Sequence, residues 1–324
     1  MLIKKESRVP SPHDDFWYRK LFKIRLYEAS GNAFQVLFSA LMQYSVPGFQ
    51  SVAPWGNWGD GGNDGWCPLE NRYFQVYGPE ATTVPNPVSA VKKAVADFDK
   101  LKAKWASIEC YHFVYNDRFV GMPAPIGSIL QELKMKERLI EATPISSADL
   151  EARFMSLNES DKMMIVGGIP SATPDYIDPK AISELLTHLA DNPGSRFALL
   201  DVTSPDFNTK IVMNGITSPV SDQLRISSYQ VDDVNRFLNA RDIGLAQQIA
   251  AEVKELYTRS QTVIPDSVDA PNERYVWLVE SLIPEFMRKH PHSQAAYRQA
   301  AQVIIAKYFE TCDAYEHPNS INPA

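Results

Sequence analysis

Several features are missing from this sequence of 324 residues, and each absence narrows what the protein can be. No stretch approaches about 18 consecutive apolar residues, the length that a membrane-spanning helix needs, so we expect no contact with the membrane interior. The first residues contain no apolar core of signal-peptide length, and export is therefore not expected. These absences predict a cytoplasmic protein.

Cysteine is scarce, with three widely spaced residues at Cys67, Cys110 and Cys312. An odd set with this spacing excludes a disulfide framework and a zinc site with several cysteine ligands. A phosphate-binding P-loop is missing as well, because no Lys-Ser or Lys-Thr pair follows Gly167 and Gly168. We therefore expect that the chain itself does not hydrolyse nucleotides.

Basic residues are fewer than acidic ones, 32 against 39, which gives a formal net charge of -7. A protein with this balance does not coat nucleic acid through its overall charge. A local basic groove is still compatible with it, and acidic metal ligands can lie inside such a groove. DNA is therefore still an expected partner, because a local basic groove is enough to bind it even when the overall charge is negative.

The hydrophobic pattern predicts an α/β N-terminal part. The predicted elements, in chain order, are a helix over residues 16–44, a short strand near 49–53, a strand over 72–77, a helix over about 87–104, a strand over 108–115 and a helix over 126–136. Gly31 is a candidate break within the first helix. The order strand, helix, strand favours a βαβ unit, and hence a sheet with at least one parallel pair.

The residue pattern of the sequence changes near residues 140–150, where a predicted turn with proline and serine precedes a predicted helix start. Beyond it, two strands are predicted over 197–202 and 210–213, separated by a turn. Periodic apolar residues then predict helices over 243–259, 273–288 and 293–308. We expect two domains, one over residues 1–140 and one over 141–324. The second is α+β, mainly helical and suited to assembly, including the formation of homo-oligomers.

The residues best suited to chemistry lie between Gly59 and Tyr77. Asp60 and Asp64 lie in a glycine-rich turn, and Gln75 and Tyr77 point to the same face of the strand that follows. Carboxylate and amide oxygens brought together in this way suit a hard cation such as Mg²⁺. Turn formation is the preferred interpretation of Asp60, whereas the spacing of Asp64 and Gln75 favours a role as metal ligands.

This arrangement resembles the Mrr-type branch of the PD-(D/E)xK nuclease superfamily. The pattern there is a helix with an acidic residue, a glycine-rich aspartate turn, and a strand that ends in Gln-x-Lys. Asp64 and Gln75 match the aspartate and the glutamine of this pattern. The resemblance implies a restriction-endonuclease-like core that uses Mg²⁺ or Mn²⁺ to cut DNA.

The chain departs from that pattern at the acidic residue of the first helix. Gln35 lies at the family's acidic position, and the nearest upstream carboxylate is Glu28, which lies two helical turns earlier. Glu28 is therefore the candidate third metal ligand. A surface ion pair with Lys23 or Arg25 is the alternative role for it.

A second departure is that Tyr77 replaces the lysine of the pattern. That lysine orients the attacking water and stabilises charge in the transition state. Tyrosine, with an ordinary pKa of about 10, is a poor base at neutral pH. Lys92 and Lys93 on the next helix are the candidates for a migrated lysine, and the alternatives are a solvated helix face for both and a degenerate site.

A second resemblance covers more of the chain. It is carried by the segments Tyr27–Gln35, Pro54–Gly56, Gly59–Asp60, Asn63–Gly65, Tyr73–Glu80 and Ala306–Glu316. Together they resemble bacterial ABC-three-component system proteins, in which an effector or adaptor acts with an SMC/ABC-type ATPase and a small middle component. The resemblance implies a role in defence against phage or plasmids, and it implies that Tyr77 is the family's own form.

Two functions follow as expectations. The first is a metal-dependent endonuclease effector, with Asp64, Gln75 and Glu28 as metal ligands. The second is a catalytically inactive adaptor with the same fold, which binds DNA or the partner ATPase. Outside this site, Cys110 and His112 share one face of a predicted strand, where a buried structural histidine is a commoner arrangement than a metal pair.

Overall fold

The computed structural model describes residues 11–53, 60–80, 87–174, 176–191, 207–241 and 243–310, together with residue 315. The chain forms two compact units. One comprises Arg25–Ile165, and the other comprises the described residues of Met1–Ile24 and Val166–Ala324. The described residues are mostly helical, with thirteen α-helices and one sheet of five strands. None of these helices is long and apolar enough to cross a membrane.

The Arg25–Ile165 unit contains the sheet. Its strands are β1 (Gln50–Ser51), β2 (Gly65–Cys67), β3 (Arg72–Tyr77), β4 (Cys110–Tyr115) and β5 (Glu141–Ile145). The helices are α1 (Pro12–Glu28), of which the last residues belong here, and α2 (Gly31–Ser45), α3 (Pro87–Lys104), α4 (Ala124–Glu137), α5 (Ser147–Met155) and α6 (Glu159–Val166). A 3-10 turn over Pro68–Glu70 joins β2 to β3.

The five strands lie in chain order across the sheet. β1, β2 and β3 pair antiparallel, whereas β3, β4 and β5 run parallel. The predicted βαβ unit is confirmed, because α3 connects the parallel neighbours β3 and β4. A mixed α/β unit with the expected strands is therefore present.

The predicted helix over residues 16–44 is two helices, α1 and α2. Ser30 between them is extended, and Gly31 has a φ of +46°, a conformation that glycine adopts at little cost. The break therefore falls at the glycine that the sequence marked as a candidate.

Helices cover both faces of the sheet. On one face, aromatic residues of β3 and β4 such as Tyr73 and Tyr111 pack in one core with Phe98 of α3 and Leu130 of α4. On the other face, Phe74 of β3 contacts Phe38 of α2 at 5.6 Å between ring centroids. Alternate residues of β3 therefore face different helices, and Gln75 belongs to the α3 face.

The unit extends beyond the predicted boundary at residue 140, because β5 pairs with β4 along Glu141–Ile145. The proline at position 144 suggested a turn at the sequence level. Proline is tolerated there because β5 is the last strand of the sheet, where a missing N–H costs no ladder bond.

The second unit is helical throughout its described residues. It contains the N-terminal part of α1 and the helices α7 (Pro179–Asp191), α8 (Phe207–Met213), α9 (Val220–Ser228), α10 (Asp232–Asn239), α11 (Ile243–Val263), α12 (Ala270–Ser281) and α13 (Gln294–Glu310). Two 3-10 segments, Glu285–Lys289 and Pro291–Ser293, connect α12 to α13. The predicted C-terminal helices are therefore confirmed, although the second ends at Ser281.

The predicted strand over residues 210–213 is wrong, since these residues lie in α8. Lys210 is buried there, and its Nζ donates to the carbonyl of Phe309 at 2.7 Å. A short apolar run has no period long enough to separate a strand from a buried helix, and the partner in α13 is not visible in the local sequence. The companion strand over 197–202 and Cys312 lie outside the described residues.

Candidate functional site

The glycine-rich turn before β2 is formed by Asp60. Its Oδ1 accepts the backbone N–H of Gly62 at 2.8 Å, and Gly61 and Gly62 have φ values of +68° and +83°. An aspartate that bonds two residues ahead is the usual start of such a turn. The structure thus gives Asp60 the turn-forming role that was preferred from the sequence.

Asp64 follows this turn and is tied to the neighbouring strand. Its backbone N–H donates to the carbonyl of Phe74 at 2.8 Å, and its side-chain Oδ2 accepts the N–H of Val76 at 2.6 Å. The residue is 5 % exposed. The carboxylate is therefore held beside the backbone of β3, one residue away from Gln75.

Burial dominates the electrostatics of this carboxyl group. It raises the pKa of Asp64 from its ordinary 3.8 to about 6, against the N–H of Val76, which lowers it. Among charged neighbours, Asp60 and Asp97 raise this pKa and Lys93 lowers it. A buried carboxyl group whose pKa is shifted by burial and by nearby charges of both signs is typical of functional sites.

The turn packs directly on α3 at Gly62. A Cβ atom added there would lie 2.4 Å from the carbonyl oxygen of Asp97 and 2.6 Å from the nitrogen of Leu101. Both are backbone atoms, which have no room to move aside. Glycine at this position therefore lets the aspartate turn and α3 approach each other.

Asp97 of α3 holds two lysines beside the turn. Its Oδ2 lies 2.7 Å from Nζ of Lys93, and its Oδ1 lies 2.9 Å from Nζ of Lys100. The side chain of Asp97 is 5 % exposed, whereas those of the lysines are 38 % and 61 % exposed. A buried carboxylate between two cations fixes where the ammonium groups lie.

The two candidate lysines differ in their surroundings. Lys93 is half-buried, pairs with Asp97 and acts on the Asp64 carboxyl. Lys92 is exposed and lies about 100° further round the helix. Of the two candidate lysines, Lys93 is therefore the one whose charge acts on the Asp64 carboxyl.

Tyr77 and Gln75 point to the α3 face of the sheet, as their spacing predicts. The ring of Tyr77 lies 6.1 Å from that of Phe113 and 5.8 Å from that of Tyr115, centroid to centroid. Tyr77 therefore belongs to the aromatic layer over β3 and β4. Gln75 is 2 % exposed, and its amide Nε2 makes one long contact of 3.5 Å to the carbonyl of Val76.

Two buried amide oxygens near the turn lack a donor. Gln75 Oε1 and Asn63 Oδ1 are buried and accept no hydrogen bond from the described residues. A buried polar atom without a partner costs free energy, and functional sites are one common reason for it. Oxygen atoms of this kind are the ligands that Mg²⁺ prefers, so the residues present fit a divalent cation.

Glu28 is not placed among these groups. It is exposed as the last residue of α1, and the strongest charges on Asp64 come from Asp60, Lys93 and Asp97. No three histidine, cysteine, aspartate or glutamate side chains in the described part of the chain have the arrangement of a metal site. Any metal site here therefore depends on amide or backbone oxygens in addition to Asp64.

Asp97 is the functional candidate that sequence reasoning missed. Its signal was present as Lys93, Asp97 and Lys100, a spacing of four and three residues that places all three side chains on one helix face. That spacing is typical of a solvated helix face. What the sequence does not reveal is that this face meets the aspartate turn.

On the opposite face of the sheet, His112 is a buried structural histidine. Its Nε2 lies 2.6 Å from Nη1 of Arg72, and its Nδ1 lies 2.9 Å from Oγ1 of Thr143. Arg72 also donates to Glu141 at 2.9 Å. Burial lowers the pKa of His112 to about 4, so the ring is neutral and accepts from Arg72. Of the two interpretations of Cys110 and His112, a metal pair or a buried structural histidine, the second therefore applies to His112.

Comparison with known families identifies part of the second unit. Residues 180–316 match the C-terminal domain 10 of the ABC-three component (ABC-3C) systems. No curated protein and no solved structure matches the chain. The match supports the expected relation to ABC-three-component systems for this part of the chain.

Proposed function

We propose that this chain is a component of an ABC-three-component defence system in which the Arg25–Ile165 unit is a Mg²⁺-dependent DNA endonuclease. The match of residues 180–316 to a C-terminal domain of these systems supports the first part. The observation that carries the second part is the close packing of the Asp64 turn on α3 at Asp97, whose carboxylate pairs with Lys93. Lys93 supplies an amine where Tyr77 replaces the lysine of the nuclease pattern.

The order of elements supports the nuclease assignment. A helix (α2), an aspartate turn that leads into the short strand β2, and the strand β3 follow one another, and the resemblance to the PD-(D/E)xK superfamily implies a helix, an aspartate turn and a strand in this order. Gln75 lies on the β3 face that α3 covers, which is the side from which Lys93 approaches. The order of these elements therefore supports a restriction-endonuclease-like core in which Gln35 and Tyr77 replace the acidic residue and the lysine of the pattern.

Asp64 and Gln75 would hold the cation, and the unpartnered oxygen of Asn63 lies in the same turn. When bound, Mg²⁺ would act as a Lewis acid on a phosphate oxygen and would lower the pKa of a bound water. Lys93 would place its ammonium against the charge that develops on the phosphate. Asp97 would keep that ammonium in place through its 2.7 Å ion pair.

A second function, a non-catalytic adaptor with this fold, is favoured by other observations. The ammonium of Lys93 is already neutralised by Asp97, and the carboxylate of Glu28 is exposed at the end of α1. An ion pair between residues four positions apart in α3 stabilises that helix without any chemistry. An adaptor would bind DNA or the partner ATPase, and it would not need a cation at Asp64.

Isothermal titration calorimetry with Mg²⁺ and with Mn²⁺ tests the cation site. The variant is Asp64→Asn, which keeps the shape of the side chain and removes its charge. Asp60→Asn is the matched control, because it changes an aspartate of the same turn whose oxygen serves the backbone of Gly62. We expect the wild-type protein and Asp60→Asn to bind Mn²⁺, and Asp64→Asn to bind it at least tenfold more weakly.

Equal Mn²⁺ binding by all three proteins would show that the cation binds elsewhere. Absence of binding in the wild type, both alone and with a DNA duplex present to supply phosphate oxygens, would favour the adaptor. The DNA is needed because Mg²⁺ and Mn²⁺ keep several waters and often bind firmly only together with substrate phosphates.

A further inference from the structure

The part of the Arg25–Ile165 unit where α3 and α4 end is more basic than the chain as a whole. Residues 92–138, which include most of α3 and all of α4, contain nine basic and six acidic residues, whereas the whole chain has 32 and 39. α3 leads into β4 and α4 leads into β5, and these two strands are parallel neighbours. The C-terminal ends of both helices therefore lie at the same edge of the sheet.

Two carboxylates at these helix ends each hold two lysines. Asp97 holds Lys100 and one further lysine of α3, as described above. Glu137 of α4 lies 2.5 Å from Nζ of Lys102 in α3 and 4.0 Å from Nζ of Lys136 in its own helix. The pair of Lys102 with Glu137 joins the ends of the two helices. Each group of three side chains therefore has one positive charge in excess.

In both groups the carboxylate is shielded and the lysines are open to water. The side chains of Asp97 and Glu137 are 5 % and 16 % exposed, whereas those of Lys100, Lys102 and Lys136 are 61 %, 57 % and 76 % exposed. A ligand that arrives from solvent therefore meets the cations first. The ion pairs also hold these cations in place, which lowers the side-chain entropy that binding costs.

Further charges at the same helix ends leave the cations in excess. Lys134 and Arg138 of the last turn of α4 have no ion pair and no side-chain hydrogen bond among the described residues. The opposing carboxylates are Asp99 and Glu132, which are exposed, and Glu109, which accepts from an asparagine at 3.0 Å. The helix dipole alone favours cations in the last turn of a helix. It does not account for a lysine at position 100, which precedes the last turn of α3.

The basic helix ends adjoin the turn that carries Asp64. Gly62 of this turn packs on α3, and the Cβ of Lys100 lies 3.0 Å from the point where a Cβ of Gly62 would be. The hydrogen bond to Asp97 and the charge of Asp60 both raise the pKa of Lys100. Lys100 therefore lies where the basic helix ends and the proposed cation site meet.

We propose that Lys100, Lys102, Lys134, Lys136 and Arg138, here called the basic end, bind the phosphate backbone of duplex DNA. The choice of DNA rests on the proposed function, and it applies to the nuclease and to the adaptor alike. Lysine and arginine contacts to phosphates supply binding that does not depend on base sequence. A phosphate, unlike a protein carboxylate, also accounts for the oxygen ligands in the adjoining turn, because Mg²⁺ is commonly held by carboxylates together with substrate phosphates.

The test is the fluorescence anisotropy of a labelled DNA duplex, titrated with the full-length protein at several salt concentrations. EDTA is present, so that the DNA stays intact. The main variant is Lys102→Gln with Lys136→Gln, and Lys100→Gln is a second one. The matched control is Lys180→Gln with Lys254→Gln, which removes two exposed lysines of the second unit and gives the same net charge. Lys102→Arg with Lys136→Arg keeps the charges at the basic end.

We expect the Kd of the main variant to rise about fivefold or more at low salt. The slope of log K against log salt concentration should fall by about 1.8 in the main variant and by about 0.9 in Lys100→Gln, one counterion term for each lost phosphate contact. The matched control and the arginine variant should stay within about twofold of the wild type. Melting temperatures show that each variant is folded.

Four results would overturn the inference. An unchanged Kd and slope in the main variant would place DNA elsewhere on the protein, and the proposed function would stand. Equal losses in the main variant and the matched control would mean that overall charge alone is responsible. A main variant that binds DNA normally but loses binding to the ATPase would identify a protein as the partner. A wild type that binds no duplex, alone or with the other components, would remove the DNA partner altogether.

The same measurement separates this inference from the nuclease assignment. If DNA binding depends on the basic end but the wild type cuts no DNA, the inference is supported and the adaptor is favoured. If the wild type cuts DNA and the main variant binds and cuts it equally well, the nuclease assignment is supported and the inference is wrong.

Discussion

At the scale of single residues, the proposed nuclease activity depends on Lys93. Its Nζ pairs with Asp97, on whose backbone the Asp64 turn packs, whereas the neighbouring Lys92 is exposed. We predict that Lys93→Gln abolishes DNA cleavage or lowers its rate at least 100-fold, because charge on the phosphate loses its stabilisation. Cleavage of a supercoiled plasmid with Mg²⁺ and the partner components measures this effect.

Lys92→Gln is the control for Lys93→Gln, since it removes the same charge from the same helix. It should leave the cleavage rate within about threefold of the wild type. Equal losses in both variants would indicate that the lysines act through general attraction of DNA and not through the Asp64 site.

A pH effect is expected at His112. The folded protein holds its pKa at about 4, through burial and with Arg72, Arg153 and Glu141 nearby, whereas the unfolded chain has the ordinary value of 6.5. The unfolded state therefore binds the extra proton first as the pH falls. The stability that the neutral ring contributes is complete above pH 6.5, and up to ~3 kcal/mol is lost as the pH falls towards 4.

The ring resonances of the six histidines in an NMR titration measure this pKa directly. His112→Gln identifies the signal that should stay in its neutral position at pH 5. A His112 signal that moves with a midpoint near 6.5 would mean that the ring is solvated and does not accept from Arg72.

The sequence pointed to Asp64 and Gln75 because glycines and alternation on a strand are local signals. Asp97 could not be predicted from the sequence, since its role depends on the contact between Gly62 and α3. Glu28 was chosen for its distance along a continuous helix, but the helix ends at that residue and α2 starts afresh at Gly31. Local pattern therefore predicted the turn and the strand, and tertiary contact determined the rest.

At the scale of elements, the contact between the turn and α3 depends on one glycine. We predict that Gly62→Ala destabilises the protein by roughly 2–4 kcal/mol, because its φ is +83° and a Cβ would meet backbone atoms of Asp97 and Leu101. Chemical unfolding followed by circular dichroism gives the free energy of unfolding.

Gly127→Ala is the matched control for the turn glycine. Gly127 lies in α4, and a Cβ there would meet nothing within 4 Å. Alanine should stabilise the helix by about 0.5–1 kcal/mol. A Gly62→Ala protein as stable as the wild type would contradict the close approach of the turn to α3.

The elements were predicted where a period extends over several turns or strands. The α3 helix and the strands β3 and β4 follow from their apolar spacing and their aromatic residues. Residues 210–213 were misassigned because four residues of Lys-Ile-Val-Met fit a buried strand and a buried helix equally well. The deciding contact, from Lys210 to the carbonyl of Phe309, joins residues 99 positions apart.

At the scale of the whole molecule, β5 extends the sheet-containing unit beyond residue 140. A fragment of residues 25–165 keeps β5 and α5, and we predict that it unfolds cooperatively on heating. A fragment of residues 25–140 lacks the strand that pairs with β4 and should not show a cooperative transition. Calorimetric melting of both fragments checks this, and a cooperative transition in the shorter one would place the unit boundary at residue 140.

Cleavage of supercoiled plasmid DNA by the wild type and by Asp64→Asn decides whether this chain is a nuclease. Each protein is tested with Mg²⁺, alone and together with the ATPase and the middle component. We predict that the wild type nicks or linearises the plasmid in at least one of these mixtures, that EDTA prevents it, and that Asp64→Asn is inactive. Cleavage that persists in Asp64→Asn, or a wild type that binds its partners and never cuts, would contradict the assignment.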